Sequence, residues 1–202
     1  GVGAGPIMAA ADTFDLIIRG KGGHAAMPHQ CIDPIIVASQ VLIALQSISS
    51  RNTHPVDSLV ISVTKIHAGE AYNIIPDTVK MCGTVRTFLP GTREEIPSKM
   101  LKISEGVCSA MGASCELNYI HGYPATVNSV RETDISLKVA IELVGEDKVK
   151  SNPTPSMASE DFSYMLQARP GCYVWLGIGL GEGENGCTLH SPNYDFNDDV
   201  LS

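Results

Sequence analysis

The sequence predicts an α/β (α+β) protein, and three observations carry that expectation. Strand-like stretches and apolar runs at helical spacing alternate, and their order over roughly residues 12–122 is β-α-β-β-α-β. That order is the split βαβ, or ferredoxin-like, arrangement, with helices over one apolar face of the sheet and a polar face left open. After residue 122 the pattern changes to helices and short extended stretches, too few to close a core alone. The chain therefore divides into an incoming connection (1–11), a complete small domain (12–122) and part of another α/β domain (123–202).

Taken in order, Gly1 to Ala11 is small and reads as a flexible connection. Thr13 to Arg19 is rich in strand formers and stops at Gly20-Lys21-Gly22-Gly23, which forces a loop. Asp33 suits an N-cap and Pro34 the first helical position, where a missing N–H needs no partner. Ile35, Val41, Leu42, Leu45 and Ile48 then recur at helical spacing. Leu59 to Ile66 alternates as a strand, and Asn73 lies in the loop that leads through Pro76-Asp77 to a second strand, Thr78 to Phe88. On that strand Val79, Met81, Gly83 and Val85 share one face, while Lys80, Cys82, Thr84 and Arg86 share the other. Thr92 and Glu95 fit a capping box, although Pro97 suits a later helix start. Cys115 to Ile120 completes the sheet. Beyond it, Thr133 to Val144 reads as a helix ended by Gly145, Ser159-Glu160-Asp161 opens a short helix, and Cys172 to Leu176 reads as a buried strand.

Composition narrows the function classes. A net charge of -8 with no basic run argues against nucleic-acid and anionic-membrane partners. Six scattered cysteines without a CxxC pair favour a reducing, cytoplasmic setting. The longest apolar stretch, Pro34 to Ile48, is too short and polar to span a bilayer. Without a basic start or an apolar h-region the N-terminus does not read as a signal peptide, and without an initiator Met the chain reads as a piece of something longer.

A few residues have the chemistry of a site. His24, in Gly-Gly-His-Ala-Ala, is either an approachable imidazole or an ordinary loop histidine. Arg86 could grip a carboxylate through its planar fork or simply face solvent. Asn73 alone is a turn residue. His190, after a glycine-rich loop and before Ser-Pro, is placed where a metalloenzyme would put a ligand, and equally where a surface histidine would lie. Cys187 reads as an idle thiol sooner than a ligand, and His29, His54, His67 and His121 read as ordinary. Gly181 to Gly186 matches GxGxxG, but no helix follows and Glu182 and Glu184 would repel phosphates.

Several stretches, in one order and spacing, carry a resemblance: GKGGHAAMPH, Asn73-Ile74-Ile75-Pro76-Asp77, Gly83-Thr84-Val85-Arg86, SEDF at residues 159–162, Pro170-Gly171 and LHSPNYDF. Together they resemble the zinc-dependent amidohydrolases and metallopeptidases that include hippurate hydrolases, N-acyl-amino-acid hydrolases and auxin-conjugate hydrolases. The resemblance implies that residues 12–122 form a lid inserted in a zinc-peptidase-like α/β catalytic domain, of which 1–11 and 123–202 are parts. It implies a homodimer through the lid, with His24 polarising the amide carbonyl in the partner's active site. Asn73 and Arg86 would bind the amide and the carboxylate of an N-acyl amino acid, and His190 would be the last metal ligand. Two divalent ions per site, Zn or Mn, are implied. The family's other ligands and its glutamate base have no counterpart here, so the isolated chain is expected to be inactive. The alternative is a non-catalytic dimerisation module descended from such an enzyme.

Overall fold

In the computed structural model the described residues are 1–177 together with 191, 192 and 194. Four strands form one antiparallel sheet: β2 (Ala10–Arg19), β4 (Leu59–Ala68), β6 (Thr78–Thr87) and β7 (Ser114–Tyr123). Their order is β4-β6-β2-β7, so the first strand of the set lies inside, between β6 and the last strand β7, while β4, which follows α1, is an edge. With α1 (Pro34–Arg51) and α2 (Pro90–Ala110) on one face, this is the expected ferredoxin-like arrangement. Alternation explains which face is covered: Phe14, Leu16 and Ile18 of β2 and Val79, Met81 and Val85 of β6 all point under the helices. Val41, Leu45 and Ile48 of α1 and Ile96 and Met100 of α2 close the core from above.

Local chemistry sets the helix starts. The Asp33 carboxylate accepts the Ile35 N–H at 2.9 Å and Pro34 occupies the first helical position, as expected. At α2 the expected capping box does not form. Pro90 starts the helix earlier, Leu89 caps it without a side-chain bond, and Pro97 is carried inside the helix. The Thr92 hydroxyl donates to Asp57 at 3.4 Å instead. A proline at the first helical position outcompetes a later cap because its fixed φ is already helical.

The sheet and α2 are tied by a buried ionic hub. Asp12 is 1% exposed and lies on the helix-covered face of β2. It accepts Arg93 Nη2 at 2.6 Å and Nε at 3.0 Å, the Tyr119 hydroxyl at 3.0 Å and the Gly122 N–H at 2.9 Å. His121 Nδ1 lies 3.3 Å from the same carboxylate. Burial pushes the Asp12 pKa up, but the Arg93 and Gly122 hydrogen bonds, the Arg93 charge and the Tyr119 hydroxyl together hold it below its ordinary value. The same burial and the neighbouring carboxylate push the Tyr119 hydroxyl well up.

Residues 1–11 are not a loose connection. β1 (Gly5–Met8) pairs antiparallel with β8 (Thr126–Asn128), and Val2, Ile7, Met8, Ala9 and Ala10 are buried. The buried Asn128 carboxamide fastens this ladder, donating to Gly3 and Tyr173 carbonyls at 2.9 Å and accepting the Tyr173 N–H at 2.7 Å. α3 (Val130–Val144) and α4 (Phe162–Ala168) follow. The buried strand expected at Cys172 to Leu176 is absent: this stretch is extended but in no named sheet, and Leu176 is 60% exposed. Its backbone bonds instead to the Asn128 carboxamide, through Tyr173, and to Gly1, through Trp175.

Candidate active site

The His24 loop is built on glycines. At Gly20 a Cβ would lie 2.1 Å from the Ile32 carbonyl oxygen, and at Gly22 it would lie 2.5 Å from that of Ile75. Those glycines therefore serve close backbone approach. The approach lets β3 (Gly23–His24) pair with β5 (Ile74–Ile75), His24 opposite Ile74. Next along, the Ala25 N–H donates to the Asn73 carbonyl at 3.0 Å. His24 and Asn73 are thus brought side by side, and both are exposed.

The His24 ring has a defined tautomer when neutral. Its Nδ1 accepts the Ala26 N–H at 3.1 Å, so the ring proton sits on Nε2. An exposed Nε2–H is a donor that can be offered to a carbonyl oxygen.

Arg86 lies elsewhere. It is on the open face of β6, eight residues along the strand from Thr78, beside which the His24 loop begins. At a strand rise of about 3.3 Å per residue that is roughly 26 Å. Its Nη1 donates to Ser159 Oγ at 3.0 Å, joining the sheet to the turn before α4. The other partnered arginines meet carboxylates: Arg93 pairs with Asp12 and Arg19 with Glu116. Among the described residues no carboxylate pairs with Arg86, which is half-buried. A guanidinium carries its donors in a planar fork whose geometry matches a carboxylate.

Among the described residues no group of three or more His, Cys, Asp or Glu is arranged to hold a metal ion. His190 and Cys187 lie outside the described residues. The described residues thus do not build a metal centre. What the sequence did not reveal is the use of Ser159 as the arginine's partner, or the place of His121 on Asp12.

A model of the peptidase family M20/M25/M40 matches residues 3–202. The chain belongs to that family. This M20 chain is 39% identical over 202 residues to thermostable carboxypeptidase 1 of Saccharolobus solfataricus, covering 98% of the chain and 49% of the relative. It is 37% identical over 198 residues to hippurate hydrolase of Campylobacter jejuni, covering 98% and 50%. Among solved structures it matches a Bacillus subtilis dinuclear metal binding peptidase of the M20 family with TM-score 0.78 and 29% identity, covering 100% of the chain and 48% of that structure. The chain spans about half the length of the curated relatives it matches.

Among the described residues, no helix of this M20 chain is long and apolar enough to cross a membrane.

Proposed function

We propose that the whole protein hydrolyses the amide bond of N-acyl amino acids with the help of divalent metal, Zn or Mn, releasing a carboxylic acid and a free amino acid. The observation that carries this is Arg86: a half-buried cation with a hydroxyl partner and no counter-ion among the described residues fits the carboxylate of such a substrate. His24 supplies an Nε2–H for the scissile carbonyl oxygen, where negative charge develops as the carbonyl carbon is attacked. Asn73, with no side-chain partner among the described residues, supplies a carboxamide for the substrate amide. A bound metal would supply activation of water; we assign His190 as one residue that would hold it, and the remaining ligands would come from outside this chain.

The separation of Arg86 from the His24–Asn73 pair supports a site completed by two chains, one lending His24 and Asn73 and the other Arg86. Strand β4 is an edge of the sheet, and Ile35, Ile36 and Ile43 of the neighbouring α1 are exposed, which suits a homodimer through residues 12–122, the lid of the proposed division. The same apolar surface favours a second reading, a purely dimerising module, which would have no need of an uncompensated Arg86. Five free thiols among the described residues suit a reducing, cytoplasmic setting.

In the whole protein, His24→Ala should lower kcat on N-benzoylglycine about 100-fold, as for loss of one oxyanion donor, while the dimer measured by light scattering persists. Unchanged kcat would refute the polarising role. Arg86→Ala should raise KM for carboxylate-bearing substrates and spare those without one; an equal effect on both would remove the assignment.

A further inference from the structure

We propose that Ser159 completes a carboxylate clamp with Arg86, its hydroxyl donating to the same substrate carboxylate that the guanidinium grips. The inference rests on the assignment of Arg86 given above and adds a residue that sets specificity. Ser159 Oγ is the acceptor in its bond with Arg86 Nη1 at 3.0 Å, so its own proton is uncommitted. Among the described residues no acceptor takes that proton. Neighbouring serines differ: Ser156 Oγ accepts the Ala158 N–H at 3.1 Å, and Ser163 Oγ donates to the Glu160 carbonyl at 2.7 Å. Ser159 is half-buried beside the cation, with a donor to give.

The turn behind it is fixed. The Glu160 carboxylate accepts the Asp161 N–H at 3.1 Å and the Tyr173 hydroxyl at 3.3 Å. The Phe162 and Tyr173 rings lie 5.7 Å apart, and the Tyr173 N–H is held by Asn128 at 2.7 Å. A hydroxyl on so braced a turn keeps its place when a ligand arrives. The guanidinium fork and the O–H then sit about one hydrogen-bond length apart, close enough for one carboxylate to accept from both. A carboxylate in place of Ser159 would have neutralised Arg86; a hydroxyl orients it and leaves its charge for the substrate.

The test compares N-benzoylglycine with N-benzoylglycinamide, which lacks the carboxylate, in the whole metal-loaded protein. Ser159→Ala should raise KM for N-benzoylglycine about tenfold, the effect of losing one hydrogen bond to a charged group, with kcat within about twofold. The amide substrate should be unaffected, and Ser159→Thr, which keeps the hydroxyl, should restore KM. Unchanged KM, or an equal rise for both substrates, overturns the clamp. Ser159→Ala placed on Arg86→Ala should raise KM for N-benzoylglycine further; no further rise would reduce Ser159 to a mere anchor of the guanidinium. Arg86→Ala alone separates the two claims. If it leaves the preference for the carboxylate intact, the reading of Arg86 fails; if it abolishes the preference while Ser159→Ala does not, only the clamp fails.

Discussion

The four-stranded unit and the segments flanking it solve the same burial problem to different degrees. In the former, fifteen buried residues from the strands, α1 and α2 form one contiguous core. In the latter, the inner ladder of β1 and β8 is tight, yet Ile135, Val139 and Leu143 of α3 are 52%, 48% and 78% exposed. Positions 135, 139 and 143 follow each other at one-turn spacing, so they make an apolar stripe along one side of the helix. The described residues thus close the core of the four-stranded unit and leave the α3 stripe uncovered. The relatives matched are about twice as long as the match.

Three changes would break or sharpen this contrast. The largest effect is expected at the hub: Asp12→Asn leaves Arg93 buried without its counter-ion and should destabilise by about 3–5 kcal/mol in urea unfolding. The sign of the pH dependence follows from the depressed Asp12 pKa. The carboxylate's contribution is complete above the ordinary aspartate value and is lost as pH falls through that value toward the lower folded one. Wild type should therefore lose stability below about pH 4 more steeply than Asp12→Asn; parallel acid profiles would deny the hub its role.

Next comes Leu16→Ala in the closed core, expected to cost about 3 kcal/mol by the same measurement because Leu16 is fully buried among β2, α1 and α2. The smallest is Leu143→Ala on the stripe, below about 0.5 kcal/mol in this chain. In the whole protein the same change should cost about 2 kcal/mol if further chain covers α3. Equal small effects in both would mean the stripe faces solvent throughout.

Much of the closed unit was legible in the sequence because its signals are local. The alternation in Thr78 to Phe88 and the Asp33-Pro34 start survive unchanged in β6 and α1. Other features depend on residues far apart in the chain, and no local period announces them. Gly, Ala and Pro carry little strand signal, so β1 reads as a loose connection in the sequence; its order comes from β8 and from Asn128. Asp12 precedes the strand that the sequence predicts at Thr13 to Arg19, and only the fold places it in β2 with Arg93 and His121 on it. His24 and Asn73 each stand out in the sequence, but their adjacency is made by the β3–β5 pairing. The split between that pair and Arg86 follows from the register along β6, which the sequence leaves unstated.

The interior position of β2 also bears on how the protein is made. During synthesis this apolar strand emerges before both of its partners: β6 follows only after α1 and β4, and β7 after α2 as well. At 5–20 residues added per second, β2 waits on the order of 5–20 s before Tyr123 is available to complete its second ladder. For that interval Phe14, Leu16 and Ile18 form an unpaired apolar edge on a nascent chain, a natural target for a chaperone and the place where crowded expression would start aggregation.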